Sequence, residues 1–171
     1  SVVDIGCQVG GFLQWSWLRQ SAAGSPGLHL GIDALPQYIE VGQLLAYTDR
    51  MGIDYRCLDV VQSTDALVSW VAGLLPEGPD HLLLLSMEKH IGGAVLWELV
   101  DRIGARNTYV ETNAYRALKT EIEAAVVSRS GVYLGDSTDR NPRRLYKFRH
   151  VPPGGPDYTA DDRPWLEDKH R

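Results

Sequence analysis

Short apolar runs alternate with helical patterns along most of this chain, and this alternation restricts the possible folds more than any other sequence feature. Each of the first five apolar runs precedes a stretch with helical spacing, and two further runs face each other across a polar turn. The seven runs lie at 2–7, 28–33, 54–59, 81–87, 107–112, 132–135 and 145–150. Strands that alternate with helices form parallel sheets, and strands joined by a short polar turn pair antiparallel. The sequence therefore predicts an α/β three-layer sandwich, whose mostly parallel seven-stranded sheet ends in an antiparallel hairpin.

The domain organisation is simple. A chain of 171 residues suits one domain, and the alternating pattern accounts for residues 1–150. A Pro- and Gly-rich break at 152–156 follows, and we interpret 151–171 as a polar tail. Because a chain rarely opens directly into a central strand, we also expect a segment before Ser1.

Composition and charge exclude several classes of protein. The formal net charge of −5 argues against a broad nucleic-acid surface. No apolar run approaches the roughly 20 residues that span a bilayer, so we expect no membrane association, and no signal peptide is visible. The two cysteines, Cys7 and Cys57, are too few for a disulfide framework. We therefore expect a cytoplasmic location.

Glycines and acidic residues stand where the first strands end. The first strand runs into a turn that contains Gly6 and Gly10, the second ends at Asp33, and the third at Asp59. In open α/β sheets, ligands bind at the carboxyl ends of the strands. A glycine turn allows close backbone approach, and a carboxylate after the second strand can accept hydrogen bonds from ribose hydroxyls. Together these features predict an adenosine-containing ligand.

The same residues resemble the motifs of the class I S-adenosylmethionine-dependent methyltransferases, which have a Rossmann-like fold. The segment 3–10, Val-Asp-Ile-Gly-Cys-Gln-Val-Gly, resembles the family's first motif, acidic-x-Gly-x-Gly-x-Gly. The resemblance covers residues 2–150 and implies S-adenosylmethionine as cofactor. It also implies a set of residues that bind this cofactor: Asp4, Gly6, Cys7, Gly10, Asp33, Ala34, Asp59, Val60 and Ser86.

One position departs from the family motif, because Gln8 stands where the middle glycine is expected. This departure keeps open a methyltransferase-like binding domain without turnover. A nicotinamide-dependent oxidoreductase is a further alternative, since Gly6 and Gly11 could end a G-x-G-x-x-G fingerprint whose middle place is again Gln8.

The segment after the fourth strand is the place for a catalytic base. His90 is the first candidate, because an imidazole titrates near neutral pH, and Glu88 is the second. The alternative interpretation is that both belong to a solvated turn at a helix start. Glu88, His90, Glu111 and Asn113 could also ligate a divalent metal, but their spacing is not distinctive and we assign no metal site.

The sequence leaves more than one class of methyl acceptor open. A small molecule with an oxygen or nitrogen acceptor is the leading hypothesis, and RNA or protein is the alternative. The segment 86–89, Ser-Met-Glu-Lys, lacks the Asn/Asp-Pro-Pro-aromatic pattern that the resemblance implies for adenine N-methyltransferases. A basic stretch of five residues could contact phosphate, but we interpret it as charges that guard an edge strand. It contains Arg140, Arg143, Arg144, Lys147 and Arg149. The oligomeric state is left open.

Overall fold

A computed structural model describes residues 1–112, 116–136 and 143–150 of the chain. It contains seven strands: β1 (Val2–Ile5), β2 (His29–Asp33), β3 (Ile53–Cys57), β4 (His81–Leu85), β5 (Asn107–Glu111), β6 (Val132–Asp136) and β7 (Arg144–Arg149). Five helices connect the first six strands: α1 (Gly11–Ala22), α2 (Pro36–Thr48), α3 (Thr64–Leu74), α4 (Glu88–Ile103) and α5 (Arg116–Ser128). The predicted tail, 151–171, lies outside the described residues, and so does Asn113.

The strands form one seven-stranded sheet in the order β3-β2-β1-β4-β5-β7-β6. The first five strands are parallel to one another, whereas β7 pairs antiparallel with both β5 and β6. The chain crosses from β3 on one side of β1 to β4 on its other side, which makes the β1–β4 boundary the topological switch point. This topology confirms the predicted α/β fold and its antiparallel close.

Apolar side chains fill both faces of the sheet. On one face, α3, α4 and α5 pack through residues such as Leu67, Leu96 and Ile122. On the opposite face, α1 and α2 pack through Leu13 and Ile39. Strands β1, β2 and β4 are almost wholly buried, as expected for parallel strands covered by helices on both sides. Within the described residues, no helix is both long and apolar enough to cross a bilayer.

Tyr55 of β3 fixes how closely α2 and the turn after β1 approach the sheet. Its ring fills the space beside Gly10, Gly31 and Gly42. A Cβ atom at Gly10 would lie 2.0 Å from the Tyr55 hydroxyl oxygen, and one at Gly42 would lie 3.0 Å from the ring. Part of the glycine pattern therefore makes room for a buried tyrosine, which sequence spacing did not indicate.

Several predicted strand boundaries differ from those of the structure, and β1, for example, ends at Ile5 rather than at Cys7. Strand β3 ends at Cys57, so Asp59 lies in the following loop rather than at the strand end. Strand β4 ends at Leu85, because Ser86 adopts a left-handed conformation with φ of 59°. Helix α4 begins at Glu88 and is interrupted at Gly92, which has φ of 74° and ψ of 160°.

Candidate functional site

The turn after β1 is held in place by the neighbouring strand. Gly6 and Gly10 have φ of 79° and 75°, and Gln8 between them has φ of 51°, so three residues of the turn are left-handed. The backbone N–H groups of Gly6 and Cys7 both donate to the Ile32 carbonyl oxygen of β2, at 2.7 and 3.0 Å. Gln8 tolerates the conformation that the family motif gives to glycine, at the modest strain expected for a non-glycine residue.

The turn leads directly into α1, whose amino terminus is uncapped and lies at the carboxyl edge of the sheet. The residue before α1 is Gly10, which offers no side chain to cap the first N–H groups, and the first helical turn contains no acidic residue. Unbonded N–H groups and the positive end of the helix dipole favour a negatively charged ligand group. The site therefore suits the carboxylate of an amino-acid ligand.

Asp33 at the end of β2 connects this turn to the start of α2. Its Oδ2 accepts a hydrogen bond from the Gln8 N–H at 3.0 Å, and its Oδ1 accepts one from the Leu35 N–H at 2.9 Å. Each carboxylate oxygen has two acceptor positions, so Asp33 retains capacity for ligand hydroxyls. Asp33 stands where the sequence placed it, and its binding role stays a prediction.

Asp4 lies beneath the turn and is almost completely buried. Burial, and then the negative charge of Asp33, raise the pKa of Asp4 from 3.8 to about 7. The neighbouring Cys7 is also buried, and its pKa is raised by burial, by Asp4 and by Asp33. A thiol whose pKa is raised is a poor nucleophile, so any ligand contact of Cys7 is a packing or backbone contact.

The remaining predicted cofactor residues occupy different environments. Asp59 is exposed and holds its own loop, because its Oδ1 accepts from the N–H groups of Val61 and Gln62 at 3.0 and 3.4 Å. Val60 is buried in the core beside α3 and α4. Ala34 is exposed, and its carbonyl oxygen accepts a hydrogen bond from the Cys57 thiol at 3.5 Å. Of these, Ala34 and Asp59 present their side chains to solvent.

A polar cluster joins β4, β5 and β7 on the other side of the switch point. The Ser86 hydroxyl donates to Glu111 Oε2 at 2.6 Å, and the Arg143 guanidinium donates to the same oxygen at 3.0 Å. Arg143 also hydrogen-bonds to Ser86 Oγ. Sequence reasoning named Ser86 and Glu111 for other roles and missed their connection through Arg143. The only sequence signal was a basic residue immediately before the last strand.

Met87, which follows this cluster, reaches back to the glycine turn. A Cβ atom at Gly6 would lie 2.1 Å from the Met87 sulfur. A glycine is thus required at position 6 for two reasons: the backbone is left-handed there, and Met87 occupies the place of a Cβ atom. The contact connects the loops after β1 and β4 and brings Ser86 close to the predicted cofactor site.

The predicted catalytic pair is placed only in part. His90 is exposed in the first turn of α4, where its backbone N–H donates to the Met87 carbonyl oxygen at 2.8 Å. The backbone of Glu88 begins the helix, and its side chain lies outside the described part of the structure. Among the described residues, no three His, Cys, Asp or Glu side chains are grouped to hold a metal ion.

The basic stretch near β7 does not guard an edge strand, because β7 lies between β5 and β6. Its charges are instead engaged with neighbouring groups. Arg144 pairs with Glu123 at 2.5 Å, and the Lys147 ammonium lies 6.0 Å from the centre of the Tyr109 ring. Arg140 lies outside the described residues. The interpretation as an edge guard is therefore wrong, and Arg143 and Arg144 form ion pairs instead.

Comparisons with known proteins identify the fold. No protein-family model matches the chain, and no curated protein matches it significantly in sequence. Solved structures do match it. A protein from Pyrococcus horikoshii OT3 is 13% identical with a TM-score of 0.58, and covers 88% of this chain, which spans 81% of that protein.

Two further solved structures match, and the first of them is a methylase. An rRNA methylase from Escherichia coli is 14% identical with a TM-score of 0.54, and the alignment covers 88% of this chain and 57% of that one. TrmK from M. capricolum, solved with S-adenosylhomocysteine, is 10% identical with a TM-score of 0.54. The alignment covers 87% of this chain and 61% of that one. These likenesses show that the chain has a fold that is also found in methylases.

Proposed function

We propose that this chain binds S-adenosylmethionine at the carboxyl ends of β1, β2 and β4 and transfers its methyl group to an acceptor. The observation that carries the proposal is the joined geometry of the glycine turn, the uncapped start of α1 and Asp33. Structural neighbours crystallised with S-adenosylhomocysteine support the same ligand.

Three parts of the site would each bind a different part of the cofactor. The first N–H groups of α1 suit the amino-acid carboxylate of the cofactor. Asp33 suits the ribose hydroxyls, since it retains acceptor positions on both oxygens. Ala34 directly after β2 and Asp59 in the loop after β3 are both exposed, and we assign them to the two sides of the adenine.

S-adenosylmethionine supplies an activated methyl group, so the protein has mainly to position the acceptor and manage its proton. Ser86 and Glu111 lie on the far side of the switch point from Asp33, with Arg143 fixing both side chains. Glu111 can accept a hydrogen bond from an acceptor N–H or O–H group. His90, which is exposed at the same edge, is the candidate general base.

A small molecule remains our first choice of acceptor. The chain is acidic overall, and both Arg143 and Arg144 are neutralised by ion pairs rather than presented as a phosphate-binding surface. RNA is the second candidate, because several structural neighbours are RNA methylases. The chain spans 57% and 61% of two of the solved structures it matches, so anything taken from their substrates is a proposal for this chain.

The test is calorimetry of the intact chain with S-adenosylhomocysteine, with NADH as the competing ligand. We expect micromolar binding of S-adenosylhomocysteine and much weaker binding of NADH. The absence of S-adenosylhomocysteine binding would overturn the proposal, and tighter NADH binding would favour an oxidoreductase.

Transfer itself is tested with radiolabelled S-adenosylmethionine against rRNA and tRNA transcripts, ribosomal proteins and a panel of small-molecule amines and phenols. Labelled small molecules support the first choice, and labelled RNA supports the second. Cofactor binding with no transfer to any class would favour a domain without turnover.

A further inference from the structure

The helical layer formed by α1 and α2 carries an apolar surface on the side that faces away from the sheet. The core side of this layer contains Leu13 of α1 and Ile39 and Ala46 of α2. The opposite side exposes seven large apolar residues, which we name the outer apolar face. They are Phe12, Trp15 and Leu18 of α1, and Val41, Leu44, Leu45 and Tyr47 of α2.

Helical geometry turns most of these residues away from the core, with Phe12 and Leu45 at the margins of the core side. In α2, Val41, Leu44 and Tyr47 recur at intervals of three residues, which keeps them on one side of the helix. In α1, Phe12, Trp15 and Leu18 have the same spacing. A helix on the surface of a monomer normally has a polar outer face, and a helix that is apolar on both sides is normally covered.

The size of this surface suits a protein interface. Trp15 is 56% exposed, Leu44 is 64% exposed and Tyr47 is 84% exposed. Seven side chains of this size expose on the order of 700 Å², close to the roughly 800 Å² that each partner contributes to a standard interface. Aromatic residues are also the type enriched at such interfaces.

Each helix of the outer apolar face contains one charged residue, and the two charges are opposite. Arg19 is exposed on α1 and Glu40 is exposed on α2. Neither forms a salt bridge within the part of the chain that the structure describes. Helices that lie on membranes carry many Lys and Arg residues on their polar side, and nucleic-acid surfaces are basic. This face has neither character.

We propose that the outer apolar face is the interface of a two-fold symmetric dimer of this chain. A two-fold interface pairs the same surface on both copies. It can therefore place α1 of one copy against α2 of the other, with each Arg19 next to Glu40 of the partner subunit. Two such ion pairs would form, and the apolar residues between them would leave water together.

The decisive experiment is sedimentation equilibrium of the intact chain with charge-reversed variants. We expect a mass of about twice the 19.0 kDa of one chain at micromolar concentration. Arg19→Glu and Glu40→Arg should each weaken the dimer about tenfold, since each places two like-charged pairs in the interface. The double variant Arg19→Glu with Glu40→Arg should restore the dimer.

Leu44→Asp tests the apolar part, and Val127→Asp is its matched control. Val127 of α5 is 85% exposed on the opposite layer. Leu44→Asp should give a monomer with an unchanged circular dichroism spectrum, while Val127→Asp should stay dimeric. The charge-reversed variants keep the test valid if Leu44→Asp fails to fold.

Three results would overturn the proposal. The first is a wild-type chain that stays monomeric at about 100 µM, a concentration at which a specific interface of standard size should produce a dimer. The second is a dimer on which the charge reversals have no effect. The third is a monomer that floats with phosphatidylcholine–phosphatidylserine vesicles, which would assign the face to a lipid surface.

Discussion

The carboxylate of Asp33 accepts a hydrogen bond from the backbone N–H of Gln8 at 3.0 Å, across 25 residues of sequence. The contact fixes the left-handed residue in the middle of the glycine turn to the end of β2. It explains how the turn keeps its shape although glycine is absent at this position. It also makes Asp33 both a structural residue and a candidate ligand-binding residue.

Replacing Asp33 should therefore affect binding more than folding. We expect Asp33→Ala to weaken binding of S-adenosylhomocysteine at least about tenfold and to cost about 1–2 kcal/mol of unfolding free energy. Calorimetry and urea unfolding measure the two effects. Asp54→Ala, on the exposed side of β3, is the control and should change neither. An unchanged affinity in Asp33→Ala would remove Asp33 from the binding site.

Asp4 should make the protein less stable as the pH rises. Its pKa is 3.8 when the chain is unfolded and about 7 when folded, so between these values the folded state binds more protons. The contribution of Asp4 to the unfolding free energy is then fully present below pH 3.8 and is lost as the pH rises toward 7. The total loss is on the order of a few kcal/mol.

Asp4→Asn removes this titration and should leave the protein more stable than the wild type at pH 8. Urea unfolding at pH 5.5 and pH 8 measures the difference between the two proteins. The contribution of Asp4 would be refuted by a variant that loses as much stability as the wild type between these two pH values.

His29 should have the opposite effect and make the protein less stable as the pH falls. It is fully buried, with Nδ1 donating to the Gly27 carbonyl oxygen at 2.8 Å and Nε2 at 3.1 Å from Ser16 Oγ. Burial lowers the pKa of His29 below 6.5, and the hydrogen bond to Gly27 opposes this only in part. The unfolded chain therefore takes up the proton first, and the stability is lost as the pH falls below 6.5.

Two variants separate the contribution of His29 from that of Asp4. His29→Gln should be less stable than the wild type at pH 7.5 by about 1–3 kcal/mol, and this difference should become smaller on acidification to pH 5.5. His90→Gln changes an exposed histidine and should keep the wild-type profile. Thermal unfolding across this range would contradict the prediction if both variants retained the same acid sensitivity.

The packing of Tyr55 predicts a difference between two helical glycines. A Cβ atom at Gly42 of α2 would lie 3.0 Å from the Tyr55 ring, whereas one at Gly73 of α3 would meet nothing within 4 Å. Gly42→Ala should cost about 1–3 kcal/mol through overpacking. Gly73→Ala should stabilise the protein by roughly 0.5–1 kcal/mol, because alanine is the better helix former. Equal effects in urea unfolding would refute the packing argument.

Local patterns in the sequence were enough to predict the order of the elements. Strand and helix periods are properties of short segments, and the structure contains the seven strands and the intervening helices that they predict. The glycine turn and Asp33 were found for the same reason, since each follows directly from a strand. Element ends were less predictable, because Ser86 and Gly92 adopt left-handed conformations that their sequence neighbours do not signal.

By itself, then, the sequence determined the α/β architecture and predicted the edge of the sheet at which a ligand would bind. Only the tertiary structure decided which side chains meet there. Arg143 contacts Ser86 across 57 residues, and Tyr55 fills the space beside three separate glycines. Such contacts depend on strand register, on the direction of each side chain and on the volume left by its neighbours. None of these is a property of a local stretch of sequence, so periodicity cannot encode them.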